Sequence, residues 1–155
     1  MIESKVRKGL CGLKGWVEIR DNKTRELLLV TPNSILDCGL AAVALLLGDA
    51  AAEPFLEACI GTGNTAVNVA ANTALETQVD TQVATPSRAM TAVANDTAQF
   101  VSVHTAPGGG WSIKEYGIKT ATGHLMLNRV VFGAIALAEG NELEFTYKVQ
   151  VTRVA

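Results

Sequence analysis

Three cysteines, two histidines and one Gly-x-Gly turn are the residues from which this chain would have to build a reactive site. A serine or cysteine nucleophile needs a histidine to take its proton, and a zinc site needs His and Cys at short helical or hairpin spacing. Cys11, Cys38 and Cys59 are widely separated, form no Cys-x-x-Cys, and are odd in number, which makes a poor disulfide framework. They are read as free thiols, small apolar residues of a protein made in a reducing cytosol. His104 and His124 stand at ligand spacing neither from each other nor from a cysteine. No nucleophile-elbow sequence supplies a serine, so both histidines are read as strand-end or surface residues. Gly61-Thr62-Gly63 lacks the third glycine of a dinucleotide fingerprint, and no Gly-Lys-Ser/Thr occurs, so it is read as a turn. Asp96-Thr97-Ala98 lacks the glycine of an aspartic-protease motif. Glu142 and Glu144 share the solvated face of an alternating strand, while the remaining acidic residues are scattered. The chain is therefore expected to have no catalytic, cofactor or metal site and to be no enzyme.

Composition agrees with a module that packs rather than reacts. The 155 residues are 48% hydrophobic but only 5% aromatic, so Ala, Val and Leu carry the apolar content. A chain of this size fits one domain and buries a real core. A net charge of −2 and the lack of an aromatic-plus-basic stripe give no reason to expect nucleic acid. The longest apolar stretch, Leu40 to Leu47, is far shorter than the roughly 20 residues of a membrane span, and no secretory signal is read at the start. A soluble protein is expected.

Hydrophobic periodicity places the elements. Residues 1–13 read as an arm, with Lys5, Arg7, Lys8 and Leu10 as candidate contacts to a neighbouring subunit, and 14–155 as a single β-rich domain. Val17 and Ile19 alternate with Trp16, Glu18 and Arg20, which is a half-buried strand. Asp21-Asn22-Lys23-Thr24 is turn chemistry, and Leu27 to Val30 returns as the second strand of a hairpin. One amphipathic helix is expected over about 34–47. Ser34 is its N-cap, Asp37 lies near the positive end of its dipole, and Leu36, Leu40, Val43, Ala44 and Leu47 form its apolar face. Gly48 would end it in the left-handed conformation. A shorter helix around Thr73 to Gln78 is a weaker expectation, and Ala66 to Thr97 shows neither period. Strands follow over Phe100–Thr105, Trp111–Lys119, His124–Phe132 and Leu143–Val151. Together these give a mainly β fold, an antiparallel β-sandwich or jelly-roll-like barrel carrying one helix.

The last hairpin allows a residue-level expectation. Ala121-Thr122-Gly123 suits a three-residue loop with Gly123 left-handed, and pairing then joins Thr120 to His124. This register sets Gly117 opposite Leu127, Glu115 opposite Arg129 and Ile113 opposite Val131. Glu115 and Arg129 would form a shielded ion pair, worth more than the roughly 0–1 kcal/mol of an exposed one.

Two ordered sets of signatures add a resemblance. The first runs from Val17-Glu18-Ile19-Arg20-Asp21 through Thr24-Arg25-Glu26-Leu27 and Asn33-Ser34-Ile35 to Leu47-Gly48-Asp49. The second holds Gly61-Thr62-Gly63, Leu75-Glu76, Trp111 to Ile118 and Gly123 to Arg129, and ends in Leu143-Glu144-Phe145-Thr146-Tyr147. Their order resembles small bacteriophage virion proteins, namely capsid decoration (cement) proteins and related tail or fibre modules. The resemblance implies a non-enzymatic homotrimer on the capsid lattice, made in the host cytoplasm, with the major capsid protein or other virion proteins as partners. A tail, fibre or head–tail connecting component is the alternative within the particle. A carbohydrate-binding module is the alternative outside it.

Overall fold

A computed structural model describes the backbone of residues 10–154 and the side chains of 12–153. The two most regularly alternating segments become its longest strands. β1 (Leu10–Asp21) and β10 (Glu142–Val154) pair antiparallel from Leu10↔Val154 to Asp21↔Leu143. Their apolar positions Val17, Ile19, Phe145 and Tyr147 all face the core at 0% exposure. The other elements are β2 (Leu27–Pro32), β3 (Ser34–Ile35), α1 (Asp37–Gly48), β4 (Phe55–Gly61), β5 (Gln78–Val83), β6 (Thr85–Ala89), β7 (Thr97–Thr105), β8 (Trp111–Thr120) and β9 (Asn128–Leu137).

They form two five-stranded antiparallel sheets. Sheet A has the order β2-β1-β10-β7-β6, and sheet B the order β3-β9-β8-β4-β5. The fold is a β-sandwich, as expected. At each side one short connection carries the chain between sheets, β2 to β3 through Asn33 and β5 to β6 through Ala84. The core between the sheets joins Val17, Ile19, Phe145 and Tyr147 to Ala58, Ile60, Tyr116 and Ile118, with the Tyr116 and Phe145 rings stacked at 5.1 Å. A second, smaller cluster of Leu36, Cys59, Leu75 and Met126 lies apart from it. It is closed over by α1 and by the loop 62–77, which form a third layer on sheet B.

Several expectations need correction. Leu10 to Leu13 belong to β1 rather than to an arm, because β10 is long enough to pair with them. Lys5, Arg7 and Lys8 lie outside the described residues. The helix stands but starts later: Ser34 sits in β3 and Leu36 is extended, with no side-chain cap. The first two N–H groups of this end are taken by neighbouring backbone instead: Leu36 N–H donates to Leu127 O (2.9 Å) and Asp37 N–H to Val69 O (3.0 Å). Gly48 is the last helical residue, and extended Asp49 closes the turn by donating to Leu45 O at 2.8 Å. The helix is rotated relative to the expected face: Leu36 and Val43 still pack inward, but Leu40, Ala44 and Leu47 do not. Gly39 and Ala42 are buried, while Leu40 is 50% and Leu47 86% exposed. The cause is a close approach: a Cβ on Gly39 would collide with the Leu127 backbone, so only the small-residue side fits against the sheet. Residues 73–77 are bent, irregular chain rather than a helix, and the unassigned stretch holds β5 and β6.

The β8–β9 register also differs. Tyr116 pairs with Val130 and Glu115 with Val131, and beyond a bulge Ile113 pairs with Ile135. Pairing continues past β8 and β9 through a Lys119↔Met126 bridge, with Leu127 N–H donating to Ile118 O (2.8 Å) and Thr120 N–H to Leu125 O (3.1 Å), so the turn is the four residues 121–124 and not three. Its left-handed residue is His124 (φ 50°), not Gly123. Glu53 holds the turn, its Oε2 accepting from Thr122 N–H (2.9 Å) and Gly123 N–H (3.1 Å).

Candidate functional site

The bulge between Ile113 and Glu115 sends these two side chains to opposite faces of β8. Ile113 enters the core between the sheets, whereas Glu115 points under the loop 62–77. Its carboxylate accepts four hydrogen bonds. Oε1 takes Thr77 N–H (2.8 Å) and Gly63 N–H (3.2 Å), and Oε2 takes Arg129 Nε (2.9 Å) and Glu76 N–H (3.0 Å). Arg129 then donates to Asn72 Oδ1 (3.2 Å) and Glu76 Oε2 (3.4 Å). Glu115 is 0% and Arg129 1% exposed, so the pair is buried with its polar atoms engaged. Such a pair gains little net stability when complete, because desolvation offsets the attraction, and is costly when half is removed.

Gly61 and Gly63 belong to this cluster. A Cβ on either would meet Glu115 Oε1, so the glycines leave the space the carboxylate occupies. Thr62 N–H donates to Thr77 O at 3.0 Å and ties the two ends of the loop. Glu76 is held below the usual carboxylate range chiefly by the hydrogen bond from Thr65 N–H, with Arg129 adding to it. The expected Glu115–Arg129 pair and the expected turn glycines are therefore one structure. Gly123 lies elsewhere, in the Glu53-held turn.

A second buried polar cluster joins the sheets. His104 on β7 is 0% exposed, with Nδ1 2.8 Å from Asp80 Oδ2 on β5 and Nε2 3.1 Å from Ser102 Oγ. A carboxylate only accepts, so Nδ1 carries the proton and Nε2 of the neutral ring accepts from the serine hydroxyl. Burial lowers the imidazole pKa, and the Asp80 carboxylate opposes that shift only in part. The connectivity is that of a hydrolase relay. Its environment is not, because Ser102 is 3% exposed and His104 lies edge-on to Phe145 at 5.4 Å. A nucleophile must reach an acyl carbon and an oxyanion donor at an opening, and this serine is enclosed.

No protein-family model, curated protein or solved structure matches this chain. Among the described residues no group of three or more His, Cys, Asp or Glu is placed to hold a metal ion. Cys38 and Cys59 are free thiols, and burial pushes the Cys59 thiol up. The Cys11 side chain lies outside the described ones. Asp96 acts as a third anchor, accepting from the backbone N–H of Thr91, Ala92 and Val93 and from Gln150 Nε2. In each cluster the polar groups are consumed in fixing a loop or joining two sheets.

The sequence reading missed Asn72 and Glu76, which sit in the aperiodic stretch, and it missed Asp80 with His104. His104, expected at a strand end or on the surface, is instead fully buried within β7; parity puts it on one strand face with Ser102 but gives no sign of Asp80. Also missed was the outward apolar surface: Leu27, Leu28 and Val30 on β2, and Leu40, Leu45, Leu46 and Leu47 on α1, are all exposed.

Proposed function

We propose that this chain is a non-enzymatic structural component of a bacteriophage particle, acting as a capsid decoration protein that bridges and stabilises major capsid protein subunits. Its partners are copies of itself, in a trimer, and the capsid surface. Its place is the virion, after synthesis in the host cytoplasm. The observation that carries this reading is the contrast between interior and surface. Charged chemistry is spent inside on holding loops, while leucines and valines are presented outside on a rigid sandwich. Exposed apolar side chains grouped on regular elements mark surfaces meant to be covered. The ordered strand and turn signatures resembling cement and tail modules supply the particle context. A closed ring of small modules on a symmetric lattice gains affinity by engaging several sites at once.

The test is co-sedimentation of the purified protein with phage heads and, separately, with tails. Saturable binding to heads lacking a decoration protein, with slower heat-induced opening of the shell, is the expected result. Binding to tails alone moves the protein to a tail or fibre role. Binding to neither rejects the reading.

A further inference from the structure

The loop 62–77 divides into a clamped neck and a self-braced body. Its ends meet where Thr62 N–H donates to Thr77 O, the closed neck of an Ω-loop, a class of roughly 6–16 residues often used for function. At the neck, Gly63, Glu76 and Thr77 give their N–H groups to the one Glu115 carboxylate, and Thr65 N–H donates to Glu76 Oε2 at 2.8 Å. The body, residues 66–75, is bonded to itself. Asn72 N–H donates to Asn68 O (2.8 Å), Asn68 N–H to Asn72 Oδ1 (2.8 Å), and Ala70 and Ala71 N–H to Asn68 Oδ1. Among the described residues only three polar ties join this body to the rest of the molecule. Arg129 Nη1 donates to Asn72 Oδ1 (3.2 Å), Asp37 N–H to Val69 O (3.0 Å), and Cys38 Sγ to Asn72 O (3.7 Å). No residue of the body enters a strand ladder or the core between the sheets, and its Val67 and Leu75 pack in the smaller cluster instead. Cys59 lies in that cluster at 0% exposure. Its β4 neighbours Ala58 and Ile60 face the main core, so its thiol points out of the sandwich toward the loop.

We infer that the body of this loop is a lid, which swings open about the Glu115-clamped neck as one unit while both sheets stay folded. Asn72 is its catch, and the floor it uncovers is Leu36, Cys59 and Met126. The distribution of hydrogen bonds decides where the loop bends. The neck is fixed by several backbone N–H groups on one buried carboxylate, whereas the body has its own bonds and so moves without breaking them. Opening costs the three ties and the burial of one small cluster. It leaves every ladder of sheets A and B intact, so it requires a fraction of the free energy of unfolding. Proteins open along boundaries between cooperative units, and the separation of the two apolar clusters is such a boundary. The lid gates what the outer face of sheet B presents. Closed, that face shows exposed Asn68 and Thr73; open, it shows an apolar floor with a thiol and a thioether. This device belongs to the fold whether or not the chain serves in a particle.

The experiment compares local with global opening in the full chain. Cys59 is labelled with iodoacetamide in a Cys38→Ser background, whose hydroxyl keeps a donor for Asn72 O, and followed by peptide mass spectrometry. Amide hydrogen exchange of the wild type is read in parallel at Asp37 and at Phe145 and Tyr147, in the middle strand of sheet A. The opening constant from Cys59 labelling is expected to exceed that from the β10 amides by at least about tenfold. It should also change less with urea, because the lid bares less surface than unfolding does. The Asp37 amide, released when Val69 leaves it, should give the same opening constant as Cys59. Asn72→Ala removes the acceptor of the Arg129 bond and should raise Cys59 labelling by about tenfold, the effect of one hydrogen bond to a charged group. Labelling of Cys59 with the constant and urea dependence of the β10 amides overturns the inference, since the lid then opens only when the sandwich does. Different constants at Cys59 and Asp37 overturn it as well, because the body would not move as a unit. Unchanged labelling in a folded Asn72→Ala protein overturns the catch. Should that variant misfold, the comparison of Cys59, Asp37 and the β10 amides decides without it.

Discussion

The two buried polar clusters solve similar tasks with different chemistry. Glu115 and Arg129 meet on one face of sheet B and draw in a loop that has no regular hydrogen bonding of its own. Asp80 and His104 meet between sheets that already share a large apolar core, and the imidazole there is neutral. The first cluster organises structure that would otherwise not form, and the second trims an interface that packing has largely made. A buried full charge is therefore found where it collects several backbone donors at once. A neutral ring suffices where one hydrogen bond on each side completes the packing.

The comparison breaks if the first cluster is not the costlier to disturb. Arg129→Met should lower unfolding free energy by about 3–5 kcal/mol, because Glu115 would stay buried without its charge partner. The double change Glu115→Gln with Arg129→Met should cost less, since the amide oxygen still accepts from the loop. Denaturant titration of the three proteins checks both statements. If the single change is the milder, the pair is not acting as a buried ion pair.

Asp80→Asn should cost less, about 1–3 kcal/mol, the usual loss for one buried hydrogen bond with a charged partner. The same cluster gives a pH dependence of known sign. The folded pKa of His104 lies below its ordinary value, so the unfolded chain binds the extra proton and stability falls with acid. The contribution is complete above pH about 6.5 and declines below it, by at most about 1.4 kcal/mol per pH unit. His104→Gln should flatten the profile between pH 7 and 5. The lowered carboxylates Glu76 and Asp96 act below that range, each contributing above pH about 4 and losing it as the pH falls further.

Two tyrosines sharpen the contrast at smaller scale. Tyr147 Oη accepts from Asn33 Nδ2 at 2.8 Å, whereas Tyr116 Oη has no hydrogen-bond partner among the described residues. Tyr147→Phe should cost about 1 kcal/mol and Tyr116→Phe nothing or less, as read by thermal unfolding. Equally small is the expected effect of Leu47→Asp on the isolated fold, within about 0.5 kcal/mol, because that side chain touches solvent.

The sandwich and the Glu115–Arg129 pair were both legible in the sequence, for different reasons. Strict alternation in β1 and β10 specifies a buried face, and the strands pair along their full length as that alternation requires. The ion pair was found through a register two residues out, Glu115 lying opposite Val131 instead of Arg129. A shift of two preserves the face of every side chain, so the partners still meet diagonally. The shielding was assigned to the wrong neighbours, since the bulge turns Ile113 away and the loop 62–77 does the covering. No local period encodes that loop, whose anchor lies some forty residues downstream. The helix was located by pattern, yet its inward face was set by one glycine's approach to Leu127, which periodicity cannot register. Asp80 and His104 meet only because β5 and β7 lie in different sheets that close on each other.

The strand order of sheet A sets a folding sequence. β10, the last strand among the described residues, occupies the middle position between β1 and β7, while every strand of sheet B precedes it in the chain. Sheet B can close while sheet A still consists of two separate pairs, β2 with β1 and β6 with β7, each presenting an unsatisfied edge to the same slot. Joining residue 12 to residue 152 is a contact of high sequence separation, the kind that slows folding. Until β10 inserts, those two edges are the places where a nascent copy is open to pairing with the wrong chain.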